Sequence, residues 1–229
     1  VGSNIVCNDY WMREDFNNVK NKALDIICKI FGIETCSDDD LYLPQMEINK
    51  ATETLMKNIP WRTKNVAIVF SSESPRKMMH PIKWHIIVEK LLAQNCFVIQ
   101  IGRMGDVPIR GAYSLIGATY PLQIIDILRN VNAVITLDNY VMHAAKLVHT
   151  PTIALFGPTE ASRYGYKEHV CLQADISQCD QLNKCLGPHV PENYSTPCPF
   201  YEKHCMNTHE ENKIVDITMS ILNSNSYGK

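Results

Sequence analysis

Short apolar runs alternate with amphipathic segments from residue 65 onward, and this alternation predicts an α/β fold. Five runs are typical of strands: NVAIVFS (65–71), CFVIQIG (96–102), YSLIG (113–117), NAVITLD (132–138) and TPTIALFG (150–157). Between them, residues 81–95, 120–130 and 139–148 carry apolar positions at helical spacing. Strands joined by helices of this length form parallel sheets with right-handed crossovers. We therefore predict a parallel sheet flanked by helices.

The pattern is different at the two ends of the chain. Residues 17–31 and 47–58 are predicted to be helices, followed by Gly32 and Pro60 as stop signals. Residues 208–223 are predicted to form a closing helix, with Thr208 as its N-cap and Glu211 completing a capping box. These patterns divide the chain into a linker and helical segment, 1–60, and a Rossmann-like domain, 61–229.

Composition and charge exclude several classes of protein. The net charge is −2, from 22 basic and 24 acidic residues, and no long stretch is basic, which argues against nucleic-acid binding. No apolar run approaches the roughly 18 residues of a membrane-spanning helix. The first fifteen residues, VGSNIVCNDYWMRED, lack the apolar centre of a signal peptide. We therefore expect a cytoplasmic protein that does not cross a membrane.

Cysteines are numerous and unevenly placed. The chain has nine, and five of them lie close together in sequence: Cys171, Cys179, Cys185, Cys198 and Cys205. An odd total and the lack of a secretory signal argue against a disulfide framework. This cluster therefore requires another explanation.

Asp138 stands at the end of a predicted strand and before a predicted helix. In open parallel sheets, ligands bind beyond the carboxyl ends of the strands, where helix N-termini present free amides and partial positive charge. An acid there can hold sugar hydroxyls while the amides of residues 139–141 hold a phosphate. The alternative is that Asp138 only caps the helix, a role worth about 1 kcal/mol.

The segment SLIGATYPLQIIDILRNVNAVITLDNYVMHAAKLVHTPTIALFGPT (114–159) resembles the donor-binding half of glycosyltransferase family 9, the ADP-heptosyltransferases of lipopolysaccharide synthesis. The matching residues are Leu115, Gly117, Asp138, His143, Ala145, Pro151, Ala154, Leu155, Gly157, Pro158 and Thr159. The resemblance extends over roughly residues 17–224. It implies the C-terminal half of a GT-B glycosyltransferase from a bacterium.

The resemblance also implies a set of donor-binding residues: Ser72, Lys77, Asp106, Asp138, Asn139, Tyr140 and His143. Lys77 corresponds to a lysine that meets the donor phosphates, and a mobile point charge on a loop suits that task. Asp106 corresponds to an acid near the donor ribose, with Arg103 as a rival contact. Tyr140 stands where the family has glycine, and the segment from Lys77 to Pro81 is one residue longer than the family's motif.

The cysteine-rich segment 171–206 resembles the family as well, including its Cys-Pro-x5-Cys-Met ending. Cys179, Cys185, Cys198 and Cys205 would suit a structural Zn²⁺ or iron ion. Cys171, His189 or His204 could replace one of them. Reduced buried thiols or occasional disulfides are the alternative, and no cofactor is expected to be required for catalysis.

The resemblance implies transfer of a sugar, heptose in the family, from a nucleotide diphosphate donor such as ADP-heptose to a lipopolysaccharide or other glycan acceptor. No strand-loop-Asp unit precedes residue 60, so the catalytic base and the acceptor site are expected on a missing N-terminal domain. The protein would then work in the cytoplasm, with peripheral attachment to the inner membrane as an option. The alternatives are a non-catalytic nucleotide-sugar-binding module, which Tyr140 would favour, and a scaffold for the cysteine segment.

Overall fold

A computed structural model describes residues 50–177, 179, 185–186, 191–200 and 204–224. Within these residues, six parallel strands form one sheet in the order β3-β2-β1-β4-β5-β6. The strands are β1 (Asn65–Val69), β2 (Phe97–Gly102), β3 (Tyr113–Ile116), β4 (Ala133–Leu137), β5 (Thr152–Phe156) and β6 (Val170–Gln173). The chain moves outward from β1 to β3 and then returns to β4 on the other side of β1. The switch point between β1 and β4 is where doubly wound sheets open a crevice for ligands.

The helices cover both faces of this sheet. They are α1 (Lys50–Asn58), α2 (Pro81–Ala93), α3 (Pro121–Asn130), α4 (Tyr140–Leu147), the short α5 (Ala161–Tyr164) and α6 (Glu211–Ser224). Helices α2 and α6 pack on one face of the sheet, and α3 and α4 pack on the other. The described helices include none that is both long and apolar enough to cross a bilayer.

Alternate residues of the strands enter opposite halves of the core. Val66 and Ile68 of β1 face α2 and α6, whereas Ala67 and Val69 face α3 and α4. All five residues of β1 are buried, as are all those of β4 and β5. Burial on both faces explains why these strands are almost entirely apolar in the sequence.

The structure confirms the predicted parallel sheet flanked by helices and corrects several details. Strand β6 was not predicted, and it overlaps the start of the segment assigned to the cysteine-rich loop. The predicted helix 17–31 lies outside the described residues, and the division at residue 60 stays a prediction. The predicted capping box is wrong: Thr208 donates its hydroxyl to the Cys205 carbonyl, and Glu211 pairs with Lys83.

His209 connects the start of α6 to the end of β5 through a buried hydrogen bond. Its Nε2 lies 3.0 Å from the carbonyl oxygen of Phe156, so the neutral ring donates this bond. The pKa of His209 is lowered to about 4, chiefly by burial; the Phe156 bond opposes the shift, and the charges of Lys83 and Lys213 contribute to it. The imidazole is therefore neutral in the folded protein at physiological pH.

This buried histidine predicts a loss of stability in mild acid. Between the unfolded pKa, near 6.5, and the folded pKa of about 4, only the unfolded chain takes up the proton. Stability therefore falls as the pH drops through this window, by up to about 3 kcal/mol from this group alone. His209→Gln, which keeps a donor for Phe156, should show a smaller fall between pH 7 and pH 4.5 in urea unfolding. Equal slopes for both proteins would contradict the assignment.

Candidate functional site

A buried ion pair lies at the switch point between β1 and β4. Lys77 follows β1 in a short 3-10 helix, Pro75–Lys77, and Asp138 comes directly after β4. Lys77 Nζ lies 2.7 Å from Asp138 Oδ2, and the side chains are only 12% and 7% exposed. Thr159, just beyond β5, donates its hydroxyl to the same carboxylate oxygen at 2.7 Å. Three strand ends thus converge on one carboxylate.

Asn139, and not Asp138, is the N-cap of α4. The Asn139 side chain accepts the amide N–H of Val141 at 2.9 Å and donates to the carbonyl oxygen of Ser71 at 3.1 Å. The prediction that Asp138 caps this helix is therefore wrong. Asn139 satisfies one helix amide and connects β4 to the loop after β1, which leaves the Asp138 carboxylate to Lys77 and Thr159.

His143 lies one turn into α4, on the side of Asp138. Its Nδ1 is 2.8 Å from the hydroxyl oxygen of Tyr166, and the two rings meet edge to face. His143 is exposed, but neighbouring protein atoms remove part of the hydration of its ring, and this desolvation lowers its pKa. The Asp138 carboxylate opposes that shift and Lys77 adds to it. The imidazole therefore shares the electrostatic environment of the buried pair.

Ser72, Arg103 and Asp106 meet beyond the ends of β1 and β2. Arg103 donates to the Ser72 carbonyl oxygen at 3.0 Å and to the Glu73 carboxylate at 2.7 Å. Asp106 Oδ2 accepts the Arg103 amide N–H at 2.7 Å and so closes the turn after β2. These bonds join the predicted residues to one another, on the β2 side of the buried pair.

Tyr140 does not fold over the buried pair. Its hydroxyl donates to the carbonyl oxygen of Pro121, at the first turn of α3, at 3.2 Å. Half of the residue is exposed, at 49%. The ring therefore lies across the gap between α3 and α4. The donor-binding roles of the seven predicted residues stay predictions.

Two tyrosines that were not predicted border the pair. Lys77 Nζ lies 5.9 Å from the ring centre of Tyr194, which ends the 3-10 helix Pro191–Tyr194. Burial raises the pKa of Tyr164, at the end of α5; the Arg163 charge opposes the rise and the Asp138 carboxylate adds to it. Neither tyrosine belongs to a local motif. Thr159 could have been predicted as a residue of this site, because it completes the Gly-Pro-Thr motif after β5.

The four predicted metal-ligating cysteines lie in one neighbourhood. Burial raises the pKa of Cys205 to about 12, and the nearby thiols of Cys185, Cys179 and Cys198 add to the rise. The Arg76 guanidinium lies 3.6 Å from Cys185 Sγ and works in the opposite direction on that thiol, whose pKa burial raises. In the described part of the chain, no three Cys, His, Asp or Glu side chains are arranged as a ready metal site. The thiols of the described cysteines therefore lie near one another but are not arranged to coordinate a metal ion.

The cysteine region packs directly on the strand end that carries the Gly-Pro-Thr motif. A Cβ at Gly157 would overlap with Met206 Sδ and lie 3.2 Å from Cys205 Sγ. Met206 is completely buried in the same core as β5. A side chain at residue 157 would displace this packing, so the glycine permits close contact between β5 and the cysteine region.

The sequence matches the family described as glycosyltransferase family 9 (heptosyltransferase) over residues 31–185. That match covers more than half of the chain. The chain belongs to glycosyltransferase family 9. The family match includes Lys77, Asp138 and Thr159, whereas Tyr194 and Cys205 lie beyond it. A sequence search of curated proteins gave no match.

Solved structures of other glycosyltransferases share the fold. A family 9 glycosyltransferase from Veillonella parvula superposes with a TM-score of 0.66 at 11% identity, covering 89% of this chain and 61% of that protein. The E. coli ADP-heptose lps heptosyltransferase II gives 0.60 at 13% identity, covering 81% and 55%. The iron-containing dodecameric glycosyltransferase TibC from enterotoxigenic E. coli gives 0.62 at 17% identity, covering 90% and 54%. A further TibC structure is a complex with ADP-D-beta-D-heptose. This chain therefore spans between half and two thirds of the length of these relatives.

Proposed function

We propose that this chain is the donor-binding half of a family 9 glycosyltransferase and binds a nucleoside diphosphate sugar, such as ADP-heptose, beside Lys77 and Asp138. The observation that carries the proposal is the buried Lys77–Asp138 pair at the switch point of the sheet. Ligands of doubly wound folds bind at this point. Binding of ADP-heptose by TibC, which shares the fold, supports the choice of donor.

Lys77 is suited to the donor diphosphate even though it is ion-paired. An ammonium group has three N–H donors, and Lys77 directs them at Asp138 Oδ2, at 2.7 Å, and more weakly at the Asp138 carbonyl oxygen, at 3.4 Å. At least one donor remains for a phosphate oxygen. The carboxylate also holds the flexible lysine in place, which reduces the entropy lost when a phosphate binds.

Asp138 and the N-terminus of α4 provide complementary contacts. The partial positive charge at the start of this eight-residue helix favours a phosphate. The Asp138 carboxylate can accept hydroxyl groups of the sugar attached to that phosphate. As the bond between sugar and phosphate breaks, Lys77 and the helix stabilise the charge on the departing diphosphate.

Transfer to an acceptor requires more than these contacts. A base must take the proton of the acceptor hydroxyl. We assign that base, and the binding of a lipopolysaccharide or other glycan, to a further half of the protein, in line with the greater length of the solved relatives. A lipopolysaccharide acceptor would bring the assembled enzyme to the cytoplasmic surface of the inner membrane.

A structural metal ion is a second part of the proposal. Thiolates are ligands that Zn²⁺ and iron favour, and Cys179, Cys185 and Cys198 lie close enough to Cys205 to help raise its pKa. The Arg76 guanidinium beside Cys185 would offset the negative charge of a cluster of thiolates. TibC is iron-containing. Such an ion would stabilise the cysteine-rich segment, whose residues Cys205 and Met206 pack against Gly157.

A nucleotide-binding module without catalysis is the alternative function. The observation that favours it is the half-exposed Tyr140 ring at the first turn of α4, which the Pro121 carbonyl oxygen holds close to the helix end where a phosphate would bind. Under this alternative, a donor would bind but restoring the other half would give no transfer.

Calorimetry tests the proposed donor site directly. ADP, UDP, GDP and ADP-heptose should be titrated separately, with AMP as the matched ligand that lacks the second phosphate. A nucleoside diphosphate should bind unaided, and AMP should bind at least about tenfold more weakly, because a charge-assisted contact to phosphate is worth roughly 1.5 to 3 kcal/mol. The proposal fails if no diphosphate binds at millimolar concentration while circular dichroism shows an intact fold.

A further inference from the structure

Arg76 is a buried cation that joins distant parts of the chain. It is 7% exposed and stands directly before Lys77 in the 3-10 helix Pro75–Lys77. Its Nε donates to the Thr196 carbonyl oxygen at 3.1 Å, and its Nη2 donates to Thr196 Oγ1 at 3.0 Å and to Asn193 Oδ1 at 2.9 Å. Its Nη1 lies 3.5 Å from the Cys185 carbonyl oxygen. Arg76 thus donates hydrogen bonds to backbone and side-chain acceptors that lie more than a hundred residues away in the sequence.

The hydrogen-bond acceptors of Arg76 are neutral, unlike those of the buried lysines Lys77 and Lys146. Lys77 and Lys146 pair with carboxylates, whereas the recorded acceptors of the Arg76 guanidinium are carbonyl, amide and hydroxyl oxygens and one thiol. The planar guanidinium can satisfy several acceptors at fixed angles, which a lysine ammonium cannot do. The guanidinium of Arg76 therefore holds Asn193 and Thr196 in fixed positions.

Tyr194 lies between two of these anchored residues. Arg76 binds Asn193 on one side and Thr196 on the other, and the Tyr194 ring stands 5.9 Å from Lys77 Nζ. The tyrosine is 44% exposed, so part of the ring remains available to a ligand that reaches Lys77. On the other side of Arg76, its own carbonyl oxygen accepts a bond from His204 Nε2 at 2.9 Å.

We propose that Arg76 is a positioning residue that holds Tyr194 beside Lys77 and makes Tyr194 a wall of the donor site. This inference rests on the proposed function, because it takes the surface around Lys77 as the place of the nucleoside diphosphate sugar. Arg76 does not touch the donor. It acts by fixing the distance between the lysine that meets the phosphates and the aromatic ring that covers them.

A double-mutant cycle on donor affinity tests this coupling. The proteins are the unmodified chain, Arg76→Met, Tyr194→Leu and the combined variant, each titrated with the tightest-binding diphosphate or diphosphate sugar. Arg76→Met should weaken binding by about three- to tenfold, the range for losing a well-placed ring and its hydrogen bonds. In the Tyr194→Leu background, the same change should weaken binding less than about twofold, because residues that act through one another are not additive.

Matched variants distinguish a positioning role of Arg76 from a general loss of structure. Arg62→Met makes the same change at an exposed position near the amino end of β1 and should leave affinity unchanged. Arg76→Lys keeps the charge but not the planar donors, so it should not restore affinity. If Arg76→Met fails to fold, Asn193→Ala with Thr196→Val removes the side-chain acceptors from the other side and enters the same cycle.

Each outcome of the cycle decides a different point. Equal losses from Arg76→Met in both backgrounds overturn the coupling while leaving the donor site in place. Unchanged affinity in Arg76→Met, with an unchanged melting temperature, overturns the positioning role as well. An unmodified chain that binds no diphosphate overturns the proposed function, and the inference about Arg76 falls with it.

Discussion

Replacing Lys77 with methionine is expected to weaken nucleoside diphosphate binding by about ten- to a hundredfold, the value of one charge-assisted contact. The substitution keeps the length of the side chain and removes the ammonium group. It should also lower the free energy of unfolding, because Asp138 is 6% exposed and loses its cation. Breaking one side of a buried pair costs about 3 to 5 kcal/mol. Calorimetry and urea unfolding measure the two effects separately.

Asp138→Asn distinguishes the phosphate contact from the sugar contact. The amide keeps the shape of the carboxylate and frees Lys77 from its counter-charge, so affinity for ADP should hold or increase. Affinity for ADP-heptose should gain less than affinity for ADP, because the amide is a weaker acceptor for sugar hydroxyls. The combined Lys77→Met, Asp138→Asn variant should recover stability without recovering binding.

Lys57→Met is the matched control for these variants. Lys57 lies on α1 in an exposed pair with Glu53, with side chains 71% and 55% exposed. Exposed pairs of this kind contribute at most about 1 kcal/mol. Normal ADP affinity in Lys77→Met, alongside an equally normal Lys57→Met, would remove the phosphate role of Lys77.

The sheet could be predicted from the sequence because its central strands are buried on both faces. Each of β1, β4 and β5 has four apolar residues among its five, and the helices between them have the length of crossovers. Strand β6 escaped prediction because Val170–Gln173 lies at the sheet edge, with two exposed and two half-buried residues. Unlike β3, the other four-residue edge strand, β6 has no fully buried residue, so it shows neither a buried run nor an alternation of buried and exposed positions that would distinguish it from a loop.

The candidate site could be predicted only where it depends on strand ends. Parallel strands bring their carboxyl ends to one edge, so Lys77 and Asp138 could be expected to meet although they are 61 residues apart. The choice of Asn139 over Asp138 as helix cap depends on side-chain torsions that sequence does not specify. The contacts of Arg76 with Asn193 and Thr196 span 117 and 120 residues and follow no local pattern. Long-range polar contacts of this kind depend on the packed tertiary structure.

Binding of a metal ion should have the largest effect on the stability of the cysteine region. Without a metal, burial holds Cys205 in its neutral thiol form, with a pKa raised to about 12. A divalent ion reverses this preference, since it binds thiolates and releases protons. Protein purified without chelator should contain close to one equivalent of zinc or iron. Its removal should lower the melting temperature by about 10 °C, which corresponds to several kcal/mol for a domain of this size.

Two serine variants show which thiols matter. Cys185→Ser should lose the metal and reproduce the lower melting temperature, because Cys185 is buried beside Arg76 and interacts with Cys179 and Cys198. Cys171→Ser is the matched control: Cys171 belongs to β6, and its thiol lies 3.7 Å from the Tyr166 carbonyl oxygen. Metal loss in Cys171→Ser would make that residue a ligand. Metal-free protein with an unchanged melting temperature would instead identify the four cysteines as reduced thiols, whose clustering reflects the packing of Cys205 and Met206 against Gly157.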